Sequence, residues 1–202
     1  MKSIGTLLLA VLLSLGFAVT SFAAIAGTAH DLSGTGGNTQ ICVFCHTPHN
    51  ADATVDPLWN ATLSTATFTA YSSSTFDGTV NADPVIGPSR LCMSCHDGTV
   101  AIDSAIGGTT NFITGDALIG TDLTNDHPIG FDYDTAQGLD AEIQPSTVAL
   151  GTGVISDFLF DDGTGTAIMT CATCHDVHND TNGSFLLTGN TNSALCLSCH
   201  IK

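Results

Sequence analysis

Positive charge is almost missing from this chain. Its 202 residues hold three Lys and Arg in all against 19 Asp and Glu. A surface so short of cations repels nucleic acid and anionic membranes instead of binding them. Charge of either sign is scarce, at 11% of residues, and aromatics make up only 6%. Thr, Ser, Gly and Asn fill the surface, a weakly charged polar exterior suited to packing against other protein. Beyond the N-terminal two dozen residues no apolar run is long enough to span a bilayer. Nothing resembles a nucleophile with its base, a phosphate-cradling loop or a dinucleotide fingerprint. Cysteine, too, is absent everywhere except within one short repeated pattern.

That pattern is Cys-x-x-Cys-His, and it occurs four times: Cys42-Val43-Phe44-Cys45-His46, Cys92-Met93-Ser94-Cys95-His96, Cys171-Ala172-Thr173-Cys174-His175 and Cys196-Leu197-Ser198-Cys199-His200. Together these use all eight cysteines. The spacing is the attachment signature of c-type haem: two thiols add across the porphyrin vinyl groups and the adjacent histidine lies under the iron. Four copies predict four haem c groups. Zinc sites built from the Cys pairs would not need a histidine directly after the second Cys each time.

The first residues read as an export signal: Lys2, an apolar stretch from Ile4 to Val19, and a small-x-small site at Ser21-Phe22-Ala23, with cleavage expected after Ala23. Export agrees with haem attachment outside the cytoplasm and places the protein at the outer surface, in the extracellular space or in the periplasm. The domain reading is a signal peptide at 1–23 and a single domain at 24–202, built from dihaem modules near 24–106 and 107–202. With about 45 residues per haem, too few for an ordinary core, the stacked haems themselves must serve as core. The expected fold class is a coil-rich, mostly irregular multihaem cytochrome with short helices and one β-hairpin.

Histidine counting adds a second constraint. Besides His46, His96, His175 and His200 there are four more, His30, His49, His127 and His178. Four irons with two axial positions each need eight ligands, and the supply matches. The motif histidines are therefore the proximal ligands and the other four the distal ones. Met93 and Met169 lie inside or beside motifs, where neither reaches the far face of its own haem, so both are read as apolar packing. His49 and His178 each follow a proximal histidine by three residues. At ~3.5 Å per residue, that is too short to carry the chain around a porphyrin edge. Each must ligate a neighbouring haem.

The chain also repeats. Cys42–Asn50 (CVFCHTPHN) resembles Cys171–Asn179 (CATCHDVHN), and Leu91–His96 resembles Leu195–His200. Each pair is preceded by one further histidine, His30 or His127. The simplest pairing sends His49 to the iron of His96 and His178 to that of His200, leaving His30 and His127 for the irons of His46 and His175. Short helical turns are expected to begin at Ser89 and Ser193, the first ending near Gly98. A hairpin is expected from Thr147–Leu150 and Val154–Phe160 across Gly151-Thr152-Gly153. Residues 62–80 and 107–124 read as loop. Asp132, Asp134, Asp161 and Asp162 lack the spacing of a calcium loop and are read as solvated acids. Phe44, Trp59 and Phe185 are candidates to lie against haem.

CxxCHxxHN followed by LCxSCH is similar to the doubled-CxxCH cytochrome module. The chain from Ala29-His30-Asp31-Leu32-Ser33 to the last motif resembles the extracellular tetrahaem cytochromes of metal-reducing bacteria. That resemblance implies bis-histidine haems stacked in a continuous chain, and subunits that polymerise into conductive filaments. In such filaments a histidine of one subunit can ligate a haem of the next, and His30 is the candidate here. The partners implied are other copies of the chain, redox cytochromes and extracellular acceptors. Three functions were weighed: a filament subunit for electron transfer, a monomeric periplasmic shuttle, and a multihaem reductase. The last needs an open iron position, against which histidine saturation argues.

Overall fold

The computed structural model describes residues 25–201, so the expected signal peptide at 1–23 lies outside them. The chain is coil-rich, with three short helices and two small two-stranded sheets. Helix α1 spans Pro88–His96, α2 Tyr133–Leu139 and α3 Ala194–Cys199. Strands β1 (Ala149–Leu150) and β2 (Gly153–Val154) pair antiparallel, as do β3 (Phe160–Asp161) and β4 (Ala167–Ile168). Among the described residues no helix is long and apolar enough to cross a membrane.

Local chemistry explains where these elements start and stop. Pro88 occupies the first turn of α1, where its missing N–H costs nothing. The helix stops at His96, and Gly98 just beyond it has φ of 77° with its N–H on the Cys95 carbonyl at 3.0 Å. The start therefore falls one residue before Ser89, the expected cap. Ser89 is instead fully buried, and its Oγ accepts the Cys171 N–H at 3.1 Å. Asp132 caps α2 by accepting the N–H groups of Asp134 and Thr135. Ser193 does precede α3 as expected, but in a left-handed conformation and without a side-chain cap bond.

The expected hairpin forms over β1 and β2, yet its second arm is short. The Asp157 carboxylate takes the Val154 N–H at 2.9 Å, and the chain turns into a 3-10 segment over Ile155–Phe158. The second hairpin, β3–β4, closes over the Asp161–Thr166 turn. There the Asp161 and Asp162 carboxylates accept the N–H groups of Gly163 and Thr164 at 2.8 and 2.9 Å.

Two small apolar clusters stand in for a core. Phe131, Tyr133, Ala136, Leu150, Ile155 and Met169 form one; Phe68, Val85, Met93 and Leu123 form the other. Both methionines are thus packing residues. Gly130 joins the two halves: its N–H bonds to the Met169 carbonyl and its own carbonyl accepts from Asn81, both at 2.8 Å. With φ at 73°, a Cβ there would overlap the Pro84 backbone. The 62–66 loop is pinned to α1 through Asp97, a buried carboxylate bonded to Ser64 Oγ and to Thr99.

Candidate haem and iron-ligand sites

Each CxxCH segment forms one helical turn. Cys42–Phe44 and Cys171–Thr173 are isolated 3-10 turns, while the other two motifs lie on α1 and α3. In three of them the histidine N–H closes on the carbonyl of the first cysteine: His46 to Cys42 at 2.8 Å, His175 to Cys171 at 3.0 Å and His200 to Cys196 at 2.8 Å. Positions i, i+3 and i+4 of a helical turn share a face, so both thiols and the imidazole are presented together.

The orientation of three of the motif histidine rings is fixed by backbone carbonyls. His46 Nδ1 lies 2.8 Å from the Pro57 oxygen, His96 Nδ1 2.7 Å from that of Ala117, and His175 Nδ1 2.8 Å from that of Ser184. A carbonyl can only accept, so Nδ1 carries the proton and Nε2 keeps a lone pair for a metal. Sequence gave no sign of these carbonyls, because a main-chain acceptor has no residue type. Burial pushes the Cys95 and Cys174 thiols up to about 11. Their thiols are therefore held protonated before any thioether forms. The Cys171 thiol moves the other way, drawn down by a hydrogen bond from Cys92.

The rings meet in pairs. His30 and His96 have centroids 6.1 Å apart, His46 and His178 6.1 Å, and His127 and His200 6.3 Å. An iron between two axial imidazoles lies about 2 Å from each ring nitrogen and about 3 Å from each ring centre, so the centres stand roughly 6 to 6.5 Å apart. All three separations agree. Ordinary aromatic pairs span a similar range; what distinguishes these three is their membership. Each pair joins one motif histidine to one histidine outside the motifs, and no histidine recurs among the three pairs. This pairing differs from the simplest one read from sequence: His178 faces His46 instead of His200, and His30 faces His96. The partner of each ring depends on how the halves pack, which spacing alone does not encode.

Other features fit a haem. A cavity of about 550 Å³ is bounded by His127, His175, His200, Cys174, Cys196 and Cys199, within the usual size of cofactor pockets. Arg90 is the only cation among the described residues, and it is engaged by Asp83 and by the Phe68 ring. Carboxylates of a bound group would therefore need neutral donors. Trp59 supplies one: it is 7% exposed, its Nε1 has no partner, and its ring stands 6.5 Å from His46. Phe44 is buried, and Phe185 lies against the His30 ring, with centroids 4.3 Å apart. Burial, with the nearby His96, lowers the pKa of His30 and keeps its ring neutral. His49 is exposed and no ring contact brings it to another histidine.

Residues 165–202 match the doubled CXXCH motif family, a segment holding the third and fourth CxxCH motifs. The match supports a multihaem c-type cytochrome with covalently bound haem. No curated protein matches the chain.

Proposed function

We propose that the chain is a tetrahaem electron conduit. Cys42, Cys45, Cys92, Cys95, Cys171, Cys174, Cys196 and Cys199 tether four haem c groups, and His46, His96, His175 and His200 are the proximal ligands. His30, His49, His127 and His178 fill the distal positions. The observation that carries this reading is the three disjoint histidine pairs at iron-spanning separation. Haem so ligated supplies one-electron chemistry at low potential and offers no open coordination position to a substrate. The chain's own part is positional. Carbonyls of Pro57, Ala117 and Ser184 hold proximal rings in one tautomer, and Phe185 braces His30. A high-spin ferric signal in the purified protein would bring the reductase reading back.

The protein acts outside the cytoplasm, at the cell exterior, against further copies of itself in a filament that passes electrons to an extracellular acceptor. The weakly charged surface and the resemblance to filament-forming cytochromes support this. One observation favours the second reading, a monomeric periplasmic shuttle: His30, the candidate to cross between subunits, already faces His96 of its own chain. Cryo-electron microscopy of secreted holoprotein decides between them. Filaments support the first reading; single particles alone, under conditions that preserve assembly, refute it.

A further inference from the structure

We infer that the two CxxCHxxH segments exchange their second histidines, His178 closing the iron of His46 and His49 closing the iron of His175, so that two coordinate bonds interlock the halves of the chain. The inference rests on the tetrahaem reading and goes beyond it by naming which residue closes which iron.

His178 stands 6.1 Å from His46, across the molecule, with the rings only 16° from parallel. The other two close pairs consume His30 with His96 and His127 with His200, leaving His49 and His175. These two are the counterparts of His178 and His46 in the repeat. The local structures around them match bond for bond. His46 Nδ1 meets the Pro57 carbonyl and His175 Nδ1 the Ser184 carbonyl, each at 2.8 Å. Asn60 N–H bonds to the Cys45 carbonyl and Leu187 N–H to that of Cys174, each at 2.9 Å. Leu58 and Phe185, at equivalent places in the two return segments, both adopt left-handed backbone, with φ of 52° and 57°. By the repeat, the counterpart of the His46–His178 pair is His175 with His49. Reach agrees: His49 lies within ~10 Å along the chain from His46, and His178 equally close to His175. Neither second histidine can serve its own haem; His178 faces the other segment, and His49 is assigned to it by elimination and by the repeat.

The arrangement makes the sequence repeat a structural pair. The upstream histidines behave differently. His30 and His127 each serve the LCxSCH motif of their own half, so two haems are closed within a half and two between halves.

The test uses the full-length holoprotein. Replacing Cys42 and Cys45 with Ala removes one tether, and ferric electron paramagnetic resonance should count three low-spin haems per chain. Adding His178→Ala should leave that count at three with no high-spin haem, because its iron is already gone. Two low-spin haems and one high-spin haem in the combined variant would overturn the exchange. The mirror variant, Cys171→Ala with Cys174→Ala and then His49→Ala, gives the same readout from the other side. Should neither accumulate, the density of the native holoprotein decides. The His178 ring on the haem tethered by Cys42 and Cys45 supports the exchange, and on that of Cys196 and Cys199 refutes it. Failure of the tetrahaem reading itself is distinguishable, since it shows in the unmodified protein as fewer than four haems or a high-spin signal.

Discussion

Phe185→Leu tests how the fold holds a distal ligand. The Phe185 ring sits 4.3 Å from the His30 ring, tilted by 33°, and is 7% exposed. Leu keeps an apolar side chain of similar bulk but removes the ring face. Such aromatic pairs are worth about 0.5–1.5 kcal/mol beyond the area they bury. The equilibrium between His30 bound to and released from the iron of His96 should therefore shift towards release by about 2- to 13-fold. Carbon monoxide binds ferrous haem only where the distal histidine has left, so its binding kinetics report this opening. One haem in four should bind faster by that factor while the other three stay unchanged. In a background lacking the Cys92 and Cys95 tethers the fast fraction should vanish. No change in any haem, or a fast fraction that survives loss of those tethers, would refute the assignment of His30 to His96.

Acid should loosen the loops before it reaches the ligands. Ser33, Thr54, Thr124 and Thr164 hydroxyls, helped by backbone N–H groups, hold the carboxyls of Asp31, Asp52, Asp122 and Asp162 below their usual value. A depressed folded pKa gives stability that is complete above the unfolded value near 3.9 and is lost as pH falls through the folded one. The thermal midpoint should thus be flat above about pH 5 and fall below about pH 4; a fall that begins near neutrality would contradict this. Gly130→Ala forces a left-handed residue and an overlap with the Pro84 backbone, and should cost at least about 1–3 kcal/mol in denaturant unfolding. An unchanged midpoint would mean that the Gly130 crossing does not join the halves.

Covalent haem attachment was legible because it is written in adjacent residues. CxxCH places both thiols and the proximal imidazole on one turn, so Cys42, Cys45 and His46 announce themselves without tertiary information. The coil-rich fold followed from the same count, since so few residues per porphyrin leave little room for regular elements. Which histidine rings meet was not legible. His178 lies 22 residues before His200 and 132 after His46, yet it faces His46, because packing of the halves outweighs sequence proximity. Local expectations failed where one side chain had a better use. Ser89 looked like a cap, but Pro88 starts the helix and the Ser89 hydroxyl serves Cys171. Val154–Phe160 looked like a strand, but the Asp157 carboxylate captures the Val154 N–H and turns the chain. The β3–β4 hairpin hid behind an acidic, glycine-rich turn that sequence reading took as plain solvated loop.

The most direct measurement is the intact mass of the secreted holoprotein under denaturing conditions. Four covalently retained haem increments on one chain, with no free thiol left among the eight cysteines, is the predicted result. Three or fewer increments, or any cysteine still open to alkylation, would contradict the account.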